Sequence, residues 1–178
     1  KDYTVTDHIP VRGRLEVYSY PKSGDPLPRV SLGVVSAIGG SVRWGETPKK
    51  EGLERLIGRV SWNPDGQRVL YQILNRRQSQ LDLRTADPAS GQSWSVIKEE
   101  SKAWVEILGE PIWLKNGDFL WLSHRSGHRH LYKHKRGQTK LVPLSSGSWN
   151  IRQIYGVNPT EEWIYFSATK DSAIETHG

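Results

Sequence analysis

The sequence contains no cysteine, no methionine and no long apolar run. Without cysteine, disulfides and thiolate chemistry are excluded, and the sequence gives no indication of the redox compartment. A natural open reading frame begins with methionine, so we expect a processed chain or a piece of a longer protein. No apolar run approaches the ~20 residues of a spanning helix, so no membrane span is expected. The N-terminal KDYTVTDHIP also lacks the apolar core of a signal peptide.

Acidic residues are also missing between Asp118 and Glu161. Seven cations lie in this gap: Arg125, Arg129, Lys133, Lys135, Arg136, Lys140 and Arg152. Without them, the 25 basic residues fall to 18 against 19 acidic ones, so the rest of the chain is nearly neutral. One basic segment in a neutral protein differs from the general cationic surface of a nucleic-acid-coating protein.

Most of the 178 residues show the alternation of short antiparallel strands, with turn signals between them. RVSLGVV and SVRWGE flank Gly39-Gly40, a dipeptide that tolerates the positive φ angles of a tight hairpin. GLERLIGRV is the best candidate for a helix, but it is short and holds two glycines. A strand entry is an equally good interpretation.

A repeated unit indicates a β-propeller. VSWNPDGQRVLYQILNRRQSQLDLRTADP and PIWLKNGDFLWLSHRSGHRHLYKHKRG share a plan of strands and turns, in which Trp113 matches Trp62 and Gly117 matches Gly66. Tyr155 begins a third copy. Four-stranded units repeating every ~40–50 residues are typical of propeller blades. We expect one propeller fragment over 1–178, with a partial blade and hairpin at 1–57, blades at 58–107 and 108–149, and the start of another at 150–178.

The histidine-rich stretch WLSHRSGHRHLYKH fits the hairpin between the second and third strands of a blade. Its basic tip is expected to face solvent. A metal site would need three or four converging ligands, whereas a hairpin spreads His124, His128, His130 and His134 apart, with no acid expected nearby to orient them. Aromatic residues alternating with basic ones also suit nucleic-acid stacking, but strand alternation buries Tyr132. No metal, cofactor or nucleic acid is therefore predicted.

Nothing in the sequence indicates self-contained catalysis. There is no Gly-x-Ser-x-Gly nucleophile elbow, and Ser126 lies in a hairpin tip without a base and carboxylate. The acidic pairs Glu99-Glu100 and Glu161-Glu162 both fall in predicted turns, where solvated carboxylates are the ordinary case. No phosphate-cradling loop is present. No catalytic, cofactor-binding or metal residue is predicted.

Several strings resemble one family, in the same order along the chain. VYSYPKSGDPLPRVSLGVV is similar to the "YPKAGDPNPKVRLGVV" segment of the dipeptidyl peptidase IV branch of the prolyl oligopeptidase family. FLWLSHRSGHRHLY resembles its "FLWLSERDGWRHLY", and WIYFSATKDSAIETH its "VYFTATEDSPIERH". SWNPDGQRVLYQILNRRQSQLDL is similar to a blade of the same family. The residues that carry the resemblance are Tyr20-Pro21-Lys22, Gly24-Asp25-Pro26, Asn75-Arg76, Gln78 and Arg129-His130-Leu131-Tyr132.

The resemblance implies an eight-bladed propeller followed by an α/β-hydrolase domain that carries the Ser-Asp-His triad. Such enzymes remove N-terminal dipeptides with a penultimate proline or alanine. The triad would lie outside this chain, and the family's amine-binding glutamates would precede Lys1. His124 and Ser126 replace two family acids. The implied partners are the hydrolase domain of the same parent chain, peptide substrates and a second copy in a homodimer, and the implied location is periplasmic or extracellular.

The alternative is a propeller module without enzymatic activity that binds a protein or acidic partner. For the isolated chain we expect an open ring, because the last unit holds only about two of its four strands. Such a ring would expose blade faces and unpaired strand edges.

Overall fold

The structure is a computed structural model that describes residues 2–45, 54–172 and 174–176. Within these residues every regular element is a strand, so the all-β prediction is confirmed. The strands are β1 Asp2–Asp7, β2 Arg14–Ser19, β3 Gly33–Val34, β4 Arg43–Trp44, β5 Arg55–Trp62, β6 Val69–Asn75, β7 Gln80–Ala86, β8 Ser93–Glu100, β9 Ile112–Trp113, β10 Phe119–Ser123, β11 His130–His134, β12 Leu141–Pro143, β13 Ile151–Val157 and β14 Ile164–Ala168. In the described residues no helix is long and apolar enough to cross a membrane.

The chain divides into two compact units, Lys1–Val30 and Ser31–Gly178. The first unit is the antiparallel hairpin β1–β2, in which Tyr3 lies opposite Tyr18. The Lys22 ammonium lies 3.7 Å from the centre of the Tyr3 ring, a cation–π contact that joins the YPK motif to this hairpin. Asp25 fixes the following turn, because its backbone N–H donates to the Lys22 carbonyl and its carboxylate accepts the Lys22 N–H.

The second unit begins with the predicted glycine hairpin. Strands β3 and β4 pair with Gly33 opposite Trp44. Gly39 and Gly40 have φ angles of 91° and 117°, the left-handed region that glycine enters at no steric cost. The predicted hairpin forms, but eight residues, 35–42, separate its paired strands, so the connection is longer than the tight turn that the dipeptide indicated.

A four-stranded antiparallel sheet, β5-β6-β7-β8, follows. GLERLIGRV, of which 52–53 lie outside the described residues, continues from Arg55 as strand β5 and forms no helix. A register shift between Gly58 and Val60 bends β5, and Arg59 has a φ of 29° there. Strand β6 is buried from Val69 to Leu74, as expected for a strand covered on both faces.

A second four-stranded sheet, β9-β10-β11-β12, and the pair β13-β14 complete the unit. The predicted equivalence of Gly66 and Gly117 corresponds to a shared turn geometry. Each has a positive φ, 67° and 82°, and each donates its N–H to the carbonyl three residues before it. The blade boundaries given above stay a prediction.

The sheets pack face to face around two main apolar clusters. One cluster joins the first sheet to the second through side chains that include Leu74, Leu83, Phe119 and Trp121. The other joins the second sheet to β13–β14 around Ile151, which is fully buried. Because successive strands run up and down, the turns lie at two opposite ends. We call the end with the 124–129 turn the hairpin end, and the other, with the 63–68 and 135–140 turns, the opposite end.

Candidate functional site

The histidine-rich stretch forms the hairpin β10–β11, as predicted. Ser123 pairs with His130, and residues 124–129 form the turn. Gly127 has a φ of 95° and donates its N–H to the His124 carbonyl at 2.8 Å. Ser126 is exposed, and its hydroxyl lies 3.4 Å from the His128 carbonyl, so within the described part of the chain no base activates it as a nucleophile.

The basic tip of this hairpin is tied down by a buried carboxylate. The Arg125 guanidinium donates to Glu99 Oε1 at 2.6 Å, and Glu99 itself is only 7% exposed. Trp121 Nε1 donates to the same oxygen at 2.9 Å, and Ser123 Oγ donates to Oε2 at 2.8 Å. The prediction of a solvated turn at Glu99-Glu100 is wrong. Both residues lie in β8, and Glu99 joins the outer strand of the first sheet to β10 of the second.

A second acidic residue approaches the hairpin from the β8–β9 connection. Glu106 Oε2 lies 3.5 Å from His124 Nε2 and 4.0 Å from Arg129 Nη1. The expectation that no acid lies near these histidines is therefore wrong. No local sequence pattern marks Glu106 as a partner of the hairpin, because its proximity depends on the packing of the sheets.

The Arg129-His130 pair fastens the connection from β12 to β13. The Arg129 backbone N–H donates to Asn150 Oδ1 at 2.7 Å, and its guanidinium donates to the Ile151 carbonyl. His130 is 1% exposed, with Nε2 2.8 Å from the Gly147 carbonyl and Nδ1 3.0 Å from Ser145 Oγ.

The hydrogen-bond partners of His130 assign its tautomer. A carbonyl can only accept, so Nε2 carries the proton. Ser145 Oγ accepts the Leu131 N–H at 3.0 Å, which leaves its hydroxyl proton for Nδ1. Trp149 packs edge-on against the ring, with centroids 4.8 Å apart. His130 is thus a structural residue that holds the chain between two blades.

His134 lies buried at the other end of β11. Its ring stacks on Phe119 with centroids 4.4 Å apart, and neither ring nitrogen has a hydrogen-bond partner in the described residues. Burial lowers the pKa of His134 from its ordinary value. Gln138 and Asp118 act in the opposite direction, although the Gln138 backbone does not reach hydrogen-bond geometry.

Asp118 organises the charges around this end of β11. Its Oδ1 accepts the Arg136 backbone N–H at 2.9 Å, which is the main cause that lowers the pKa of this carboxyl group. Its Oδ2 accepts the Lys133 ammonium at 3.1 Å. Two basic residues of the acid-free segment therefore contact Asp118, the acidic residue that precedes this segment. Arg136 does so through its backbone and Lys133 through its side chain.

The four histidines do not converge on one point. His124 faces Glu106, and the ring centroids of His128 and His130 are 6.4 Å apart. His130 and His134 are buried at opposite ends of β11. Among the described residues, no three His, Asp or Glu side chains lie close enough together to hold a metal ion.

The remaining family-like residues shape the β6–β7 turn. Asn75 Nδ2 donates to Ser79 Oγ at 3.0 Å, and Asn75 Oδ1 accepts the Gln80 N–H. Arg76 forms an ion pair with Glu54. Gln78 takes a φ of 54° so that its carbonyl accepts the Val105 N–H at 2.6 Å. This bond ties the turn to the β8–β9 connection, and the roles are structural.

Known proteins match the chain along nearly its whole length. Over residues 2–178 it matches the family described as the dipeptidyl peptidase IV (DPP IV) N-terminal region. It is 23% identical over 167 residues to the probable dipeptidyl peptidase 4 of Aspergillus flavus, covering 89% of this chain and 22% of that protein. It is 27% identical over 168 residues to the inactive dipeptidyl peptidase 10 of Rattus norvegicus, covering 87% and 21%. The chain thus spans about a fifth of these relatives' length.

Solved structures show the same fold. The crystal structure of Porphyromonas gingivalis dipeptidyl peptidase 4 matches with a TM-score of 0.85 at 19% identity, covering 99% of this chain and 25% of that one. A putative dipeptidyl aminopeptidase IV from Bacteroides ovatus matches with a TM-score of 0.79 at 20% identity, covering 94% and 27%. The prediction of a partial β-propeller is confirmed. On the match over residues 2–178, the chain belongs to the dipeptidyl peptidase IV N-terminal region family.

Proposed function

We propose that this chain is the propeller portion of a serine exopeptidase that removes N-terminal dipeptides, and that it frames the access of peptide substrates. The observation that carries the proposal is the family match over residues 2–178. The catalytic triad would come from an α/β-hydrolase domain of the same parent chain, and a homodimer is part of the same proposal.

The hairpin end supports a framing role because its connections are held rigidly. The Glu99–Arg125 ion pair and the Arg129–Asn150 hydrogen bond join neighbouring sheets there. Glu106 projects from the connection with its side chain 50% exposed, so it can meet a passing peptide. A fixed rim with few mobile side chains discriminates substrates by shape at little entropic cost.

The test uses the full-length gene product that contains this chain. We expect a Gly-Pro or Ala-Pro chromogenic substrate to be cleaved, and a serine-directed inhibitor to abolish the cleavage. The framing role predicts that Glu106→Gln changes kcat/KM for a longer peptide beginning Gly-Pro by about threefold or more, with less effect on the chromogenic substrate. Glu162→Gln, an exposed acid at the opposite end, is the matched control.

Each part of the proposal has its own contrary outcome. Absence of inhibitor-sensitive dipeptide release would refute the peptidase assignment. Equal effects of Glu106→Gln on short and long substrates would refute only the framing role, since a change in the chemical step alters both alike.

A second candidate is a propeller module without activity that binds a protein or acidic partner. The observation that favours it is the 27% identity to the inactive dipeptidyl peptidase 10 of Rattus norvegicus. The sequence of the parent gene separates the two. A Gly-x-Ser-x-Gly motif a few hundred residues downstream supports the enzyme, and its absence supports the binding module.

A further inference from the structure

A cleft of about 810 Å3 lies at the opposite end, between the sheets β5–β8 and β9–β12. Its walls come from turns of both sheets, including those at 63–68, 114–118 and 135–139. The volume is within the ~300–1,000 Å3 of typical ligand sites. The cleft is separate from the hairpin end, where the proposed function places substrate access.

The floor of the cleft is apolar and aromatic. Leu70, Trp113 and Phe119 line it, and Trp113 meets Phe119 edge-on with ring centroids 5.0 Å apart. Trp94 forms one wall with 43% of its surface exposed, and the Arg68 guanidinium covers its ring at 4.7 Å. Such a floor suits an apolar or aromatic side chain, which a sugar chain or a phosphate backbone does not supply.

The rim of the cleft is cationic. Arg68, Lys115 and Arg136 line it, with Asp65 as the carboxylate among the described lining residues, and Arg68 also forms an ion pair with Asp87 at 3.8 Å. In the described part of the chain, the Arg136 guanidinium forms no hydrogen bond or ion pair, although its backbone N–H is bound by Asp118. Lys135 and Lys140 are exposed on the same turn. The rim therefore offers an unpaired guanidinium for a carboxylate, the pairing that Arg geometry favours.

Buried polar atoms without a hydrogen-bond partner concentrate at this cleft, although one of them, Arg68 Nη1, lies 3.8 Å from Asp87 Oδ2. In the described residues five side chains have a buried nitrogen or oxygen atom with no hydrogen-bond partner, and four of them line the cleft. The four are Asn63, Arg68, Thr85 and His134, and His134 is only 5% exposed. Buried polar groups in native proteins nearly always find a partner, so this concentration indicates a place that a polar ligand completes.

We propose that this cleft binds an acidic peptide segment of a partner protein, with an apolar side chain on the Trp113–Phe119 floor and a carboxylate on Arg136. The proposal goes beyond the peptidase function and does not depend on it. Charge complementarity selects the acidic character, and the small group of cations beside an apolar floor favours a short peptide over a polyanion, whose affinity needs many phosphate contacts along a continuous path.

The experiment measures peptide binding to the full-length gene product by fluorescence anisotropy. The probe is a fluorescein-labelled peptide, acetyl-Glu-Glu-Leu-Glu-Glu-Phe-amide. Its blocked amine prevents an exopeptidase from cleaving it. The same peptide with glutamine in place of glutamate is the reference. We expect the acidic peptide to bind at least about tenfold more tightly than the reference, and the preference to shrink between about 50 mM and about 300 mM salt as charges are screened.

Variants locate the binding. Arg136→Glu should weaken the acidic peptide at least about tenfold, because it replaces an attractive charge by a repulsive one. Arg136→Gln should weaken it by a smaller factor and provides a test if Arg136→Glu fails to fold. Lys102→Glu makes the same charge change on an exposed residue at the hairpin end and should leave binding within about twofold, in line with screening over that distance. Dipeptide release by Arg136→Glu and by Arg136→Gln should equal that of the unchanged protein.

Three results would overturn the proposal. One is equal binding of the acidic and glutamine peptides, which would leave only an apolar groove. Another is equal weakening by Arg136→Glu and Lys102→Glu, which would indicate general charge attraction. The third is the absence of peptide binding. This includes the case in which heparin binds and Arg136→Gln weakens its binding, because the cleft would then bind a polyanion and not a peptide. None of these results bears on dipeptide release, so the proposed function stands or falls separately.

Discussion

Glu99 carries the sharpest test of how the blades are joined. Its carboxylate accepts hydrogen bonds from Trp121, Ser123 and Arg125 of the next sheet at 2.6–2.9 Å. The change Glu99→Gln keeps one carbonyl oxygen, which can still accept from Trp121 and Arg125. It removes the negative charge and presents an amide to Ser123, whose oxygen already accepts two N–H groups of Arg125. Two charge-assisted bonds are weakened and one is lost.

The expected cost follows from these contacts. Hydrogen bonds to charged groups contribute about 1.5–3 kcal/mol each. The Arg125 side chain is 33% exposed, so water screens part of its loss. We therefore expect Glu99→Gln to lower the free energy of unfolding by about 2 kcal/mol, and the thermal midpoint by roughly 4–8 °C for a chain of this size.

The measurement is urea unfolding followed by tryptophan fluorescence, with Glu100→Gln as the control. Glu100 is the next residue in the same strand, but it is exposed, and among the described side chains it accepts a hydrogen bond from Gln80 alone, at 3.4 Å. Glu100→Gln should lower the free energy of unfolding by less than about 0.5 kcal/mol. Equal costs for the two variants would refute the reasoning. A double-mutant cycle of Glu99→Gln with Arg125→Met should give a coupling free energy of about 1–2 kcal/mol. A coupling near zero would show that the ion pair does not contribute to the loss of stability.

The remaining predictions concern pH, a glycine and catalysis. Because burial lowers the pKa of His134 below its ordinary 6.5, the unfolded chain takes up a proton before the folded chain does as the pH falls. Stability should thus be full above about pH 6.5 and decline below it. Urea unfolding should give a lower free energy of unfolding near pH 5.5 than near pH 7.5, and His134→Phe should reduce this difference. An unchanged difference in the variant would contradict the assignment of the pH dependence to His134. In Gly147→Ala the new Cβ would lie 2.4 Å from Trp149 Nε1, whereas Gly127→Ala meets nothing within 4 Å. Both glycines have a positive φ, so backbone strain is common to the two variants. Thermal melting should therefore show Gly147→Ala to be less stable than Gly127→Ala by about 1 kcal/mol or more, and equal losses of stability would exclude the clash. The 178-residue chain alone should release no dipeptide from a Gly-Pro chromogenic substrate, and turnover abolished by a serine-directed inhibitor would contradict this.

Local sequence patterns predicted the strands well because alternation and turn residues act over a few neighbours. The hairpin at Gly39-Gly40, the turn at 124–129 and the burial of Tyr132 all follow from period-two patterns and glycine conformations. The propeller repeat was also visible, since each blade reuses the same turn at Gly66 and Gly117.

The polar contacts between blades were not predictable in this way. Glu99 follows SWSVIK and precedes Glu100 and Ser101, a local context that is typical of a solvated turn. The donors that make its burial stable lie 22 to 26 residues further on, in β10 and the turn after it. The contact of Glu106 with His124 has the same origin. Residue type and spacing carry no information about such pairs until the sheets are packed.

The same packing changes the meaning of the acid-free segment. Strand β11 separates its cations between two ends of the fold, so they do not form one surface. Arg125, Arg129 and Lys133 each have a carboxylate within 4.0 Å, provided by Glu99, Glu106 and Asp118. On the 135–140 turn, Lys135, Arg136 and Lys140 have no such partner in the described part of the chain. Arg152, the seventh cation, lies apart on β13. Of the formal run of seven charges, three are thus paired with carboxylates and three form a local group beside the cleft. A group of that size suits a short acidic ligand better than a long polyanion, whose affinity needs many phosphate contacts along a continuous path.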